Sequence, residues 1–147
     1  MERDVIRLLK ICEQCSAMTI ASVGAEGQAM AACVYFAFTP DLNFYFLSSA
    51  QTQHIQNLRR DPRAAVSLSP VGTRWQDLRG VQMRGIVTPS QGEEEQRGRS
   101  VYYSRFPFAQ ALERAQQATD LHCFRPDWVR LIDNRLGFGH KEEWPWP

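Results

Sequence analysis

The sequence predicts a mainly β domain with flanking helices, in which six antiparallel strands close part of the way into a barrel. Short apolar or aromatic runs alternate with turn residues such as Gly, Pro and Asn, which is typical of β-strands. Polar helical segments stand between some of these runs, and no internal repeat interrupts the order. The six predicted strands cover residues 18–23, 29–38, 44–48, 64–68, 81–87 and 121–132.

The first part of the chain predicts a helix followed by a hairpin. Apolar residues recur at helical spacing with charges between them over residues 2–15, so an amphipathic helix begins the chain. Gly24 and Gly27 supply the positive-φ positions of a turn between the first two strands. The Pro and Asn residues of segment 39–43 predict the next turn, which leads into an aromatic strand.

The later helices are predicted from their caps and breaks. Thr52 is placed to cap a short helix over residues 53–60, which Asp61 and Pro62 end. Segment 91–104 is polar and rich in Glu and Arg, as solvated helices are. Phe106 and Pro107 break that helix before a second helical piece that runs to residue 118.

Composition limits the kinds of partner that we expect. The 147 residues, 44% of them hydrophobic, are enough for one domain over residues 1–147. Seventeen basic and sixteen acidic side chains nearly cancel, which argues against nucleic acid or a membrane and favours a small-molecule or protein partner. The N-terminal segment lacks the features of a secretory signal, so we expect a cytoplasmic protein with reduced cysteines.

Five segments in a fixed order resemble the FMN-binding split barrel of the pyridoxamine 5'-phosphate oxidase superfamily. They are Thr19-Ile-Ala-Ser-Val, Glu26-Gly27, Phe44-Tyr-Phe-Leu-Ser-Ser49, Asn57-Leu-Arg-Arg-Asp-Pro-Arg63 and Val81-Gln-Met-Arg-Gly85. Segments 103–107 and 133–141 are similar to the uncharacterised bacterial YhbP-like branch of that superfamily. The resemblance implies a six-stranded antiparallel split β-barrel that forms a homodimer.

The resemblance also implies an FMN site at the dimer interface and a flavin-dependent oxidoreductase. The phosphate would lie at the loop after the third strand and the start of the next helix, where free backbone donors favour an anion. The backbone of Val34 and Tyr35 would run along the flavin ring, and Arg79 and Gln82 would come from the partner subunit. The implied phosphate residues are Ser48, Ser49, Thr52, Gln53 and His54. The sequence names no catalytic acid or base.

Three positions depart from the pattern of proteins that bind FMN tightly. Gln53 and His54 stand where Arg and Lys are expected, and Ala32 stands where another Arg is expected. Each lost charge-assisted hydrogen bond weakens binding by about 1.5 to 3 kcal/mol. Two alternatives therefore stay open: a binding protein of the same fold that has lost flavin and takes haem or another ligand, or a structural or regulatory dimer. Helix capping alone would account for the loop hydroxyls equally well.

The remaining motifs predict packing and not metal chemistry. A haem ligand would have to be His54, His122 or His140, the histidines of the sequence. The Cys12-Glu-Gln-Cys15 pair closes a helix, where the dipole opposes thiolate, so neither metal nor dithiol chemistry is expected. Segment 137–139 is expected to be a turn. The C-terminal His140, Lys141, Trp144 and Trp146 could form a lid over a pocket or an arm on a partner subunit, and Trp75 is available for the same interface.

Overall fold

The computed structural model describes residues 2–116 and 119–147, and within these residues the chain forms four α-helices, two short 3-10 helices (Trp75–Asp77 and Asn134–Leu136) and one antiparallel sheet of eight strands. The helices are α1 (Glu2–Gln14), α2 (Gln53–Arg60), α3 (Gly92–Arg105) and α4 (Pro107–Gln116). The strands are β1 (Ala17–Val23), β2 (Ala29–Tyr35), β3 (Ala37–Phe38), β4 (Phe44–Ser48), β5 (Arg63–Leu68), β6 (Arg79–Pro89), β7 (Asp120–Asp133) and β8 (Lys141–Pro145).

The mainly β class is confirmed, and the number of strands is corrected from six to eight. The predicted second strand is divided at Phe36, where the chain leaves β2 at one end of the sheet and enters β3 at the other. The other additional strand is β8, which pairs with β7. The predicted last helix extended to residue 118, and its final two residues lie outside the described part of the chain.

The sheet is curled because its order, β2-β1-β5-β6-β7-β4-β3, ends on two strands that are consecutive in the chain. Strand β7 makes this possible, since it pairs with β6 along its length, with β4 near its beginning and with β8 near its end. A bulge in β7 leaves Asp127 unpaired where the register shifts between Arg84 and Gly85 of β6. A Cβ on Gly85 would lie 2.0 Å from the carbonyl oxygen of Arg125, so this close approach requires glycine.

The hydrophobic core fills the inside of this curled sheet. Phe36, Phe44, Phe46 and Phe124 are fully buried there. Helix α1 closes one end of the core with Leu8, Ile11 and Cys12, as its predicted amphipathic pattern requires. Burial raises the pKa of the Cys12 and Cys15 thiols, so both stay protonated, as expected for a pair that ends a helix.

The C-terminal segment is part of the sheet of its own chain and not a free lid or arm. Strand β8 lies beside β7, and the rings of Trp144 and Trp146 pack against the core. The indole N–H of Trp146 also donates to the carbonyl oxygen of Asp41 at 3.2 Å. Trp75 lies elsewhere, in edge contact with Phe138 at 5.8 Å between ring centroids. The described residues contain no helix long and apolar enough to cross a membrane.

Candidate functional site

The loop between β4 and α2 gathers the residues to which the resemblance assigns the phosphate. Thr52 is the N-cap of α2, as predicted: its Oγ1 accepts a hydrogen bond from the Ile55 amide at 3.4 Å. The same hydroxyl donates to the carbonyl oxygen of Ser49 at 2.8 Å, while the Ser49 Oγ accepts from the Gln51 amide at 3.1 Å. Two of the loop hydroxyls are therefore engaged in holding the loop itself.

His54 faces Ser48 across the loop. The Oγ of Ser48, which is buried, lies 2.6 Å from Nε2 of His54. Burial lowers the pKa of His54 below its usual value, so the imidazole is neutral at pH 7 in this chain. His54 thus sits at the start of α2 as a neutral hydrogen-bonding group and not as a cation.

The side chain of Gln53 points along the helix. Its Nε2 donates to Oδ1 of Asn57 at 2.9 Å, and Nδ2 of Asn57 donates to Oγ of Ser22 at 3.1 Å. This chain of hydrogen bonds fixes α2 on β1. Within the described residues, the backbone amides of Gln53 and His54 have no hydrogen-bond acceptor, as is usual in the first turn of a helix. These two amides are the open anion donors of the loop.

His122 lies beside this loop, which the sequence did not predict. Its ring stacks on Phe46 at 5.4 Å between centroids and is 2% exposed. Its Nδ1 is 3.1 Å from the carbonyl oxygen of Asp120, whereas its Nε2 is buried without a partner in the described part of the chain. Burial lowers the pKa of His122 too. This position could not be predicted from the sequence, because His122 lies beside Phe46 only if β4 pairs with β7 in this register.

Val34 and Tyr35 end strand β2. Val34 is buried in the core, whereas the ring of Tyr35 is 54% exposed and packs against Phe106 and Phe108 at 5.5 and 6.2 Å. Ala32, on the same strand, packs against the core opposite Ile20. An arginine at position 32, where the pattern of tight FMN binders has one, would therefore start from a backbone position that faces inward.

Arg79 and Gln82 stand on β6, in another part of the sheet from the loop. Arg79 pairs with Asp133 in the ladder, and the Oε1 of Gln82 accepts from Arg130 Nη1 at 3.2 Å. Neither is bonded to a residue of the β4–α2 loop in the part of the chain that the structure describes. Within one chain, the β4–α2 loop thus brings together Ser48, Ser49, Thr52, Gln53 and His54. Arg79 and Gln82 lie elsewhere, on β6.

An open trough runs along the outer face of β1, β5, β6 and β7. Two adjoining cavities of about 630 and 330 Å³ share Ala21, Ala65 and Arg84. Small residues form its floor, since Ala21 pairs with Ala65 and Ala65 with Arg84. Trp128 lines the smaller cavity, and the guanidinium groups of Arg84 and Arg130 lie 4.6 and 4.8 Å from its ring centre.

The residues that the structure describes hold no group of three or more His, Cys, Asp or Glu side chains that could bind a metal ion. As alternation predicts, His122 and Cys123 point to opposite faces: His122 contacts Phe46, and Cys123 packs with Tyr45 and Leu121.

The chain has a curled antiparallel sheet and a capped helix, α2, whose first turn lies beside the hydroxyls of the loop after β4. This combination defines a split-barrel protein. The family model for pyridoxamine 5'-phosphate oxidase matches residues 7–133, and the chain belongs to this family. Within the family it groups with the UPF0306 proteins: it is 34% identical to the UPF0306 protein YhbP of Escherichia coli O157:H7 over 83% of this chain and 80% of that protein.

Solved structures share the fold at low sequence identity. A heme binding protein from Mycobacterium smegmatis superposes with a TM-score of 0.81 over 97% of this chain, at 18% identity, and this chain spans 57% of that protein's length. HutZ, a heme storage protein from Vibrio cholerae, superposes with a TM-score of 0.70 at 13% identity, over 82% of this chain and 88% of HutZ.

Proposed function

We propose that the chain is an FMN-binding protein with a site at the interface of a homodimer, where the flavin serves a redox reaction. The observation that carries this proposal is the arrangement of donors at the β4–α2 loop. The hydroxyls of Ser48 and Ser49 and the free amides of Gln53 and His54 are concentrated where the dipole of α2 favours negative charge, and the hydroxyl of Thr52 caps this helix. No acidic residue stands in the first turn of α2.

These donors fit a phosphate group, but they are neutral. His54 is uncharged at pH 7, Gln53 is hydrogen-bonded to Asn57, and Ala32 has no donor. The Arg59 guanidinium is a cation near this loop, but it is already paired with a carboxylate. Its partner is Asp120, the strand partner of Ser48, at 3.9 Å. We therefore expect FMN to bind more weakly than to relatives with Arg and Lys in the loop.

The flavin, when bound, would supply hydride or electron transfer, and the protein would supply position and hydrogen bonds. The loop would hold the phosphate, and the backbone at Val34 and Tyr35 would offer hydrogen-bonding groups to the polar edge of the ring. The exposed ring of Tyr35, with Phe106 and Phe108, would add an apolar wall. Arg79 and Gln82 would reach the same site from the partner subunit.

The trough on the outer face supports the dimer. Small residues form the floor of the trough and Arg84 and Trp128 line it, so a two-fold axis would bring this face of one copy against the same face of the other. Gln82 lines this trough, and a second copy seated there would carry its own Gln82 to the interface.

The site is tested by placing cations at Gln53 and His54, the two loop residues that differ from the pattern of tight FMN binders. The double variant Gln53→Arg, His54→Lys should bind FMN at least about tenfold more tightly than the wild type in titration calorimetry, because charge-assisted hydrogen bonds to phosphate are restored. The gain should shrink with added salt. Riboflavin, which lacks the phosphate, is the matched control and should show no gain. Equal FMN affinities would mean that the phosphate lies elsewhere.

Haem binding is the second candidate, since two proteins of similar fold are named for haem. His54 is the candidate axial ligand because it is half-buried at the loop, whereas His122 is enclosed; binding would have to replace the contact of His54 Nε2 with Ser48 Oγ. Titration with haemin should then give a Soret band that His54→Ala abolishes and His140→Ala preserves. Absence of both the flavin spectrum and the Soret band would favour a structural or regulatory dimer.

A further inference from the structure

A second polar cleft lies on the opposite face of β4 from Ser48 and Phe46. It has a volume of about 570 Å³ and opens between α3, the turn that connects β3 to β4, and the beginning of β7. Side-chain alternation separates it from the flavin site, because Tyr45 points to this face while its neighbours point inward. The residues that line it and carry the argument are Asp41, Asn43, Tyr45, Arg97, Ser100 and Val101.

Helix α3 meets the sheet at a glycine. A Cβ on Gly98 would lie 2.7 Å from Cδ1 of Tyr45 and 2.6 Å from Cδ2 of Leu121, so the close approach depends on its absence. Arg97, Ser100 and Val101 flank this contact and face the cleft. Arg97 and Ser100 are exposed, so they form the solvent-facing rim of the cleft beside this close contact.

Tyr45 forms the floor of the cleft and leaves a hydrogen-bonding group open to it. The residue is 3% exposed, and its ring is held by Gly98, Leu121 and Cys123. No hydrogen bond joins its hydroxyl to another of the residues described, and the hydroxyl is not enclosed but opens to the cleft. Burial raises the pKa of Tyr45, so the phenol stays protonated and remains a donor. The phenol is therefore a donor that a molecule in the cleft can reach.

Opposite charges stand on the two walls of the cleft. Arg125 is neutralised by a close ion pair with Glu94 and by a hydrogen bond to Thr88. Arg97, on the helix wall, is 69% exposed and its nearest carboxylate, Glu93, is 4.0 Å away. Asp41, on the turn wall, is bonded to the neutral side chains of Thr39 and Asn43. No ion pair joins Arg97 to Asp41 within residues 2–116.

We propose that this cleft binds a free α-amino acid as a zwitterion. Arg97 and the Tyr45 hydroxyl take the carboxylate, and Asp41 takes the ammonium group. The Tyr45 ring and Val101 supply the apolar surface for the side chain. A simple anion is disfavoured by Asp41, and a simple cation is disfavoured by Arg97, whereas a molecule carrying both charges satisfies both walls. This site is independent of the flavin site, since it lies on the other face of β4.

The test titrates the full-length protein with each proteinogenic L-amino acid in turn by calorimetry. For the tightest binder, the N-acetyl derivative lacks the ammonium charge and the C-terminal amide lacks the carboxylate. Each derivative should bind at least about tenfold more weakly than the amino acid itself. Asp41→Asn should remove the discrimination against the N-acetyl form, and Arg97→Gln that against the amide. Tyr45→Phe should weaken binding while keeping the ring in place.

The matched controls are Asp77→Asn and Arg74→Gln, which alter an exposed ion pair outside the cleft and should leave affinity unchanged. Asp41 and Arg97 are both exposed, so their replacement leaves the core intact. The proposal is overturned if no amino acid binds, or if the cleft variants bind as the wild type does. FMN affinity, measured in the same variants, should not change, which separates this result from that of the flavin site.

Discussion

The Oγ of Ser48 lies 2.6 Å from Nε2 of His54, which joins the end of β4 to the first turn of α2. Burial keeps the His54 ring neutral, so the contact is a hydrogen bond between uncharged groups. A phosphate at this loop would meet one hydroxyl and one imidazole that are already paired. Binding must either rearrange the pair or protonate the ring, and the second route makes affinity depend on pH.

The first prediction concerns the pH dependence of FMN binding. A dianionic phosphate near His54 favours the imidazolium, so the pKa of His54 should be higher in the complex than in the free protein. FMN should bind most tightly below the free-protein pKa and more weakly as pH rises through the pKa of the complex. Calorimetry across this range measures it.

The control for that measurement is His54→Gln, which should flatten most of the pH dependence. The second ionisation of the phosphate, near pH ~6, acts in the opposite direction and is common to both proteins. Superimposable profiles for the variant and the wild type would show that His54 does not face the phosphate.

The second prediction is a loss of stability in mild acid. The pKa values of His54 and His122 are lowered by burial from the ordinary value of 6.5, so both rings are neutral in the folded chain. Their contribution is fully present above about pH 6.5 and is lost as pH falls through the lower folded-state pKa values. Urea unfolding at about pH 7.5 and about pH 5 should therefore give a lower free energy of unfolding in acid. His122→Phe, which keeps the stack on Phe46, should reduce the difference; an unchanged difference would contradict it.

The third prediction concerns Arg105, the last residue of α3. Its guanidinium donates to the carbonyl oxygen of Phe36 at 3.1 Å and to that of Cys12 at 3.2 Å, and also to the carbonyl of Cys15. It thus joins the end of α1 to the point where β2 passes into β3. Arg105→Met should lower the free energy of unfolding by about 2 to 4 kcal/mol, because several carbonyls lose a charged donor.

Chemical denaturation measures this loss, and Arg74→Met is the matched control. Arg74 pairs with Asp77 at the surface and its replacement should have little effect. Equal midpoints for Arg105→Met and the wild type would show that the guanidinium does not hold this junction.

The fourth prediction tests the dimer surface. Ala65 is exposed at the floor of the outer trough, so Ala65→Glu would bury a charge if a second copy sits there. Sedimentation should show a dimer for the wild type at micromolar concentration and at least about tenfold weaker association for Ala65→Glu. Ala111→Glu, at an exposed position of α4, should associate as the wild type does. A monomeric wild type would remove the interface from the proposed flavin site.

Local chemistry in the sequence determined the elements that depend on near neighbours. The Thr52 cap, the Gly27 turn with its φ of 82°, and the amphipathic face of α1 were all predicted and are present, whereas the positive φ predicted at Gly24 is not. Each is set by contacts within a few residues, where side-chain type and backbone freedom decide the conformation. The loop that unites Ser48 with His54 follows from the same local order.

Only the tertiary structure decided the features that depend on which strands meet. The pairing of β7 with β4, β6 and β8 places His122 beside the loop, seats Trp144 on the core and gives Tyr45 a cleft beneath α3. The partners in these contacts are far apart in the chain, and a one-residue change of register would reverse every side chain. Alternation in the sequence divides the side chains of each strand between the two faces of the sheet. Packing against distant segments then decides which face lies inside.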